Sequence, residues 1–157
     1  VLYRAGLRVG EALALYPKDL DLENGSLAIL RGKGGRSRVV GIDPGATTLV
    51  AAWLAVRERG GHGRGEPVFC TRSGKAVTAA YLRRWLPELA RKAKIDKRVH
   101  CHGFRHTNAA QLQREGVDIG IISKQLGHTS IATTVRYLDH IAPVAIIEAM
   151  RKREWAA

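Results

Sequence analysis

The sequence lacks any apolar run approaching the roughly 20 residues needed to span a bilayer, so no segment reads as a membrane helix. It shows no signal peptide, no internal repeat and no low-complexity tract. Cysteine is scarce: Cys70 and Cys101 are too few for a disulfide framework, and both read as reduced thiols of a cytoplasmic protein. Acidic residues are outnumbered, 14 Asp plus Glu against 26 Lys plus Arg, which leaves a formal net charge of +12. The chain opens without Met and without a capping residue before its first apolar stretch, so it reads as a fragment beginning inside a helix.

What is present is the material of one domain: 157 residues, of which 45% are hydrophobic, enough for a real core. A basic globular domain implies a polyanionic partner, and nothing in the sequence favours a membrane surface over nucleic acid. Charge alone leaves open a DNA enzyme, a DNA binder and a ribosomal protein.

Periodicity predicts a mostly helical chain. Val1 to Leu15 reads as a helix, with Leu2, Ala5, Val9, Ala12 and Leu13 on one side. Ser26 to Arg31 and Ser37 to Ile42 read as strands joined by the tight turn Gly32-Lys33-Gly34-Gly35. Thr47 to Arg59 reads as a helix followed by a mobile glycine-rich loop, Gly60 to Gly65, and Pro67 to Thr71 as a further short strand. Thr78 to Ala93 is helical, with Pro87 expected to kink or split it. Three more helices follow: Phe104 to Arg114 stopped by Gly116, Ile119 to Leu126 capped by Asp118 and stopped by Gly127, and one capped by Ser130 that carries Tyr137. Pro143 opens a last helix ending in Arg151-Lys152-Arg153.

Several residues have the chemistry to act on a phosphate. In His102-Gly103-Phe104-Arg105, positions i and i+3 of a helix would aim a proton-transfer group and a guanidinium fork at one spot. Taken alone, the pair fits better an N-terminal-turn histidine beside a surface arginine, since a four-residue match is weak evidence. His128 lies in Leu126-Gly127-His128, ordinary punctuation between helices, but nine residues before Tyr137. A free tyrosine, with a pKa of about 10, is a poor nucleophile at neutral pH, and surrounding cations lower the cost of the phenolate. Arg8 sits in Ala5-Gly6-Leu7-Arg8-Val9-Gly10-Glu11, where Glu11 can brace it as an i,i+3 pair. Lys33 projects from the basic turn that Arg31, Arg36 and Arg38 flank.

Together, Arg8, Lys33, His102, Arg105, His128 and Tyr137 stand in the order of the active-site residues of the tyrosine recombinases, the phage-integrase family, which this sequence resembles over roughly residues 2 to 140. The words around them match as well. Ala-Gly-Leu-Arg-Val-Gly-Glu is similar to the family's first arginine box, Gly32 to Arg38 to its lysine turn, and His102 to Thr107 to its second box. The resemblance implies an α+β fold: a mostly helical catalytic domain, here residues 1–157, with a small antiparallel three-stranded sheet. The family's N-terminal DNA-clamping domain has no counterpart in this sequence. The resemblance further implies strand cleavage by Tyr137 through a 3′-phosphotyrosyl intermediate, without ATP, cofactor or metal. Arg8 and Arg105 would hold the phosphate with His128, Lys33 would protonate the leaving oxygen, and His102 would move the tyrosine's proton. Double-stranded DNA is the expected partner, gripped by Arg31, Arg36, Arg38, Arg72, Lys75, Arg83, Arg84 and the Arg91-to-Arg98 cluster. Ala142, Val144, Ile146, Ile147 and Met150 would dock on a neighbouring protomer in a DNA-bound tetramer or fold back on their own core. A phage or mobile-element integrase, cytoplasmic and nucleoid-associated, is the expected biological setting.

Other classes are also compatible with parts of the chain. Asp118 to Leu138 fits a non-catalytic helix-turn-helix module. His100, Cys101, His102 and His106 are metal-ligand types, but at a spacing that suits no zinc pattern. A degenerate recombinase that kept the fold and lost its chemistry would not be expected to keep all six residues.

Overall fold

The computed structural model describes residues 1–30 and 37–139, together with positions 147, 150, 151 and 153. Its helices, among the described residues, are α1 (Val9–Leu13), α2 (Pro44–Arg59), α3 (Ala79–Lys92), α4 (Cys101–Arg114), α5 (Ile119–Leu126) and α6 (Ile131–Leu138). Three strands, β1 (Leu20–Asp21), β2 (Ser26–Ile29) and β3 (Arg38–Gly41), form one antiparallel sheet in the order β1-β2-β3. None of these helices is long and apolar enough to cross a membrane.

The helices begin where side chains satisfy free backbone donors. Asp43 caps α2 through Ala46, Thr78 caps α3 through Tyr81, Asp118 caps α5 through Gly120 and Ile121, and Ser130 caps α6 through Ala132. α4 starts three residues earlier than periodicity suggests, because the His100 ring accepts from the Gly103 N–H and acts as its cap. α2 also starts early, with Pro44 preset for a first turn.

Three expectations need correction. Val1 to Leu15 is not one helix: Gly6 turns left-handed at φ +62°, Arg8 is extended, and α1 keeps only Val9–Leu13. Pro67 to Thr71 is not a strand; it contributes one isolated bridge, Cys70 to Ala76, and the third strand is β1. Nearby backbone groups are spent elsewhere: the Val68 N–H donates to the Leu15 carbonyl, and the Val68 carbonyl accepts from the Trp53 indole, both at 2.7 Å. Pro87 does not split α3, since it lies on an exposed face where water can meet the one carbonyl left without its helical donor. The turn bearing Lys33 and most of the Pro143 helix lie outside the described residues.

Two apolar clusters form the interior. One joins Leu7, Leu15, Leu27, Ile29, Val40, Ala46 and Val68 around the sheet; the other joins Ala109, Ile122, Leu126 and Leu138 of α4, α5 and α6. Period-2 alternation sets the sheet's inner face, with Leu27 opposite Val40, both fully buried, while Val39 is 70% exposed. β3 is an edge strand, and α5 covers it. The Gln125 amide donates to the Gly41 and Ala5 carbonyls and accepts from the Gly41 N–H. This clip brings the end of α5 against the start of the chain, where the candidate site forms.

Candidate active site

The site is built on the C-terminal end of α5. Gly127 is left-handed at φ +64°, so the last carbonyls of α5 point outward instead of into another helical turn. Three consecutive carbonyls accept from three arginines that are remote in sequence. Gln125 O accepts from Arg38 Nε at 3.4 Å, Leu126 O from Arg105 Nη2 at 2.5 Å, and Gly127 O from Arg8 Nη2 at 3.3 Å. The negative end of the helix dipole suits such cations. A Cβ at Gly127 would stand 2.7 Å from the Arg38 guanidinium, so both the turn and the space require glycine there.

Arg105 projects from the second turn of α4 and is 1% exposed. Its Nη1 donates to the Gly6 carbonyl at 2.6 Å, and its Nη2 also meets His128 Nε2 at 3.2 Å. These three bonds occupy three of the five N–H groups of a guanidinium. Burial and the nearby Arg8 cation lower its pKa to about 10, so it remains charged at neutral pH.

Glu11 is the counterweight. Although burial alone would raise its pKa, bonds from Arg38 and Arg8 bring it down to about 2. Arg38 reaches both its oxygens at 2.9 Å, while Arg8 reaches Oε1 by its side chain and Oε2 by its backbone N–H, both at 2.8 Å. Arg38, expected among the DNA-gripping cations, is therefore turned inward, with its side chain 14% exposed. Strand alternation explains this: Arg38 shares the inner face with Val40 and Ile42.

His128 bonds through both ring nitrogens. Because a guanidinium only donates, Nε2 accepts from Arg105, and the proton on Nδ1 faces Thr134 Oγ1 at 2.8 Å. Burial, then Arg105, Arg8 and Arg38, lower the His128 pKa to about 4, which keeps the ring neutral. A donor's role toward phosphate, as expected from sequence, requires a proton on Nε2 that this geometry does not place there.

Tyr137 sits on the second turn of α6 with its hydroxyl buried and without a well-formed hydrogen bond. Burial raises the phenol's pKa, while Arg105 and then Arg8 pull it down. Its ring stacks on His106 at 3.9 Å and 7°, and meets His128 and His102 edge-on at 5.4 and 5.8 Å. His102 lies at the surface, and partial desolvation of its ring, then the Arg105 cation, lower its pKa.

Arg8, Glu11, His102, Arg105, His128 and Tyr137 thus meet in one place, and the structure adds Arg38, His106 and Thr134 to them. The i,i+4 spacing of His102 and His106 is the sequence signal for the second; Thr134 has no such signal. Lys33, Arg31 and Arg36 lie outside the described residues. Arg72, Lys75, Arg83 and Arg84 are exposed. His100, Cys101, His102 and His106 do not converge: His100 caps α4, Cys101 is buried, and His102 and His106 pack against Tyr137. Among the described residues no three His, Cys, Asp or Glu side chains are grouped as ion ligands.

Residues 1–142 match the phage integrase family. The chain belongs to that family. One relative of this phage-integrase chain, a tyrosine recombinase XerC from Rhodospirillum centenum, is 37% identical over 139 residues, covering 88% of this chain and 40% of that protein. The fold is similar to the crystal structure of XerA recombinase, with a TM-score of 0.85 at 28% identity over 99% of this chain and 57% of that one. It is also similar to XerH site-specific recombinase bound to difH substrate in a pre-cleavage complex, with a TM-score of 0.70 at 32% identity over 87% of this chain and 40% of that one. The chain therefore spans about two fifths of that curated relative's length.

The pKa directions give a stability prediction. His128, ordinarily near 6.5, takes up its proton in the unfolded chain first, so stability falls as pH drops from about 6.5 to about 4. His102 acts in the same direction. Glu11, ordinarily near 4.5, adds a second loss as pH falls from about 4.5 to about 2. After allowance for solvent screening of these partly exposed groups, each step is on the order of 1–2 kcal/mol. Denaturant unfolding at pH 7.5, 5 and 3 checks this; equal stability at the first two values contradicts the His128 assignment.

Proposed function

We propose that this chain is the catalytic portion of a site-specific DNA recombinase that cuts and rejoins strands through a covalent bond to Tyr137. One observation carries the reading: a buried phenol without a well-formed hydrogen bond lies in the electrostatic reach of two guanidiniums, Arg105 and Arg8. Both are anchored to the end of one helix, and neither needs to move far to be organised for an anion.

In this reading Tyr137 Oη attacks the phosphorus of a DNA phosphodiester, and the P–O5′ bond breaks. The 3′-phosphate stays on the tyrosine, which conserves the bond energy. Negative charge grows on the non-bridging oxygens, where Arg8 and Arg105 stabilise it as an oxyanion hole does. His102, exposed and with a depressed pKa, is suited to accept the phenol's proton. Lys33 is the proposed donor to the departing 5′-oxygen. A 5′-hydroxyl from another strand then attacks the phosphotyrosine and releases Tyr137. The arginines supply the positive charge that a metal ion supplies in many nucleases, so the proposed reaction proceeds in chelator.

A nicked suicide substrate tests this in the full-length protein. Loss of the short strand beyond the scissile bond traps the intermediate, and an SDS-resistant protein–DNA adduct is expected with EDTA present. Tyr137→Phe removes the nucleophile and abolishes the adduct while DNA still shifts in a gel. A wild-type protein that shifts DNA but never forms the adduct would support the helix-turn-helix module instead.

The wider setting is also proposed: double-stranded DNA as partner, a tetramer on DNA joined through the segment after 140, and a phage or mobile element as the source. Exposed Arg72, Lys75, Arg83 and Arg84 support backbone contacts. Ile147 and Met150, 53% and 57% exposed, support docking of the C-terminal segment on a neighbour. Sizing of the DNA complex with and without residues 141–157 checks the assembly, and insertion of a circular element into a target replicon checks the biological role.

A further inference from the structure

The Tyr137 hydroxyl makes no well-formed hydrogen bond, and Arg105 acts on it only loosely, so its polar end alone does not fix the plane of the ring. Its orientation comes from its faces and edges. His106 covers one face at 3.9 Å, almost parallel at 7°. His102, one turn earlier on α4, stands edge-on to His106 at 4.4 Å and to Tyr137 at 5.8 Å. His128 closes another edge at 5.4 Å. Of these rings His106 has the face-to-face contact, and it follows Arg105 directly in sequence. One helix thus carries both the guanidinium that acts on the phenol and the ring that sets its plane.

We propose that His106 is a positioning residue for Tyr137: its flat face holds the phenol ring in the pocket and in the orientation needed for attack. This rests on Tyr137 being the nucleophile. A displacement at phosphorus is sensitive to small errors in the attacking atom's placement. A tyrosine near the end of a short helix can leave such a pocket by a change of side-chain rotamer. Loss of one aromatic stack corresponds to roughly a tenfold change in the population of the held ring. His106 itself neither touches the phosphate nor takes a proton in this assignment. A planar apolar ring of similar size therefore does the same work.

The test compares wild type with His106→Ala, His106→Leu and His106→Phe in the full-length protein. It measures the single-turnover rate of adduct formation on nicked DNA, DNA affinity and melting temperature. Ala and Leu are expected to lose roughly tenfold in rate, with DNA affinity essentially unchanged. Phe is expected to recover most of that loss and to keep the wild-type pH profile. Should Ala fail to fold, the Leu and Phe variants, both apolar and bulky, decide the question by themselves. Equal rates in all variants would overturn the inference and leave the recombinase reading intact. So would a Phe variant as slow as Leu, or one with an altered pH profile, since the imidazole nitrogens would then be what matters. A wild-type protein that forms no adduct would overturn the underlying reading and this inference with it.

Discussion

Arg105→Lys is expected to slow adduct formation by at least ~100-fold, equivalent to about 3 kcal/mol of transition-state stabilisation. Lysine keeps the charge and loses the fork. The Gly6 and Leu126 carbonyls accept from different terminal nitrogens of the Arg105 guanidinium, and His128 Nε2 accepts from the second of these. One ammonium cannot span the three positions from the same backbone site. Two buried carbonyls then compete for it, and His128 loses the donor that fixes its tautomer. Folding stability should also fall, by roughly 2–4 kcal/mol, because Arg105 joins the chain's first turn, α4 and the end of α5. The two readouts are separable: adduct rate per folded molecule measures the chemistry, and denaturant unfolding measures the scaffold. A variant with wild-type rate and lower stability would make Arg105 a structural residue only.

Glu11→Ala is expected to cost about 3–5 kcal/mol of folding stability, the range for breaking a buried ion network on one side. Glu11 is 6% exposed and neutralises Arg8 and Arg38 together. Without it the two guanidiniums face each other beside Arg105, with only the α5 carbonyls to offset them. Glu11→Gln keeps the shape and removes the charge, so its loss should be smaller. The acid-induced loss of stability between about pH 4.5 and 2 should shrink in both variants, because Glu11 no longer titrates there, leaving the smaller share of the more exposed Asp43 and Asp21. Thermal unfolding of the three proteins across that range checks the point. Persistence of the same loss in Glu11→Gln would assign the transition to another carboxylate.

Much of this arrangement was legible because local chemistry and tertiary structure agree. Asp118 and Ser130 cap the helices that their positions suggest, and Gly116 and Gly127 end helices in left-handed turns. The hairpin of β2 and β3 follows its apolar alternation. The first fifteen residues misled because apolar spacing continues through Gly6, where the backbone turns left-handed so that its carbonyl can meet Arg105. A Cβ there would come 2.5 Å from Asn108 Oδ1, a constraint no local pattern reveals. Pro67 to Thr71 has strand-like composition, but its neighbours offer isolated partners instead of a sheet edge.

The candidate site was legible by residue type and less so by connection. The pairing of Arg8 with Glu11 follows from i,i+3 spacing. The second arginine on the same carboxylate does not, since Arg38 lies 27 positions away. Its inward direction could have been read from its parity with Val40, whereas a basic turn next to it suggested solvent. The anchoring of three guanidiniums on successive carbonyls of α5 depends on tertiary packing alone.

The central claim is that the Tyr137 phenol takes over a DNA phosphate, and the most direct measurement is to locate that phosphate. The full-length protein is trapped on nicked DNA, digested with nuclease and trypsin, and sequenced by mass spectrometry. Cleavage after Arg136 and Arg151 releases residues 137–151 as one peptide. A residual nucleotide is expected on Tyr137 within that peptide. A nucleotide on Tyr3, Tyr16, Tyr81 or any side chain outside this chain, with residues 137–151 unmodified, would contradict it.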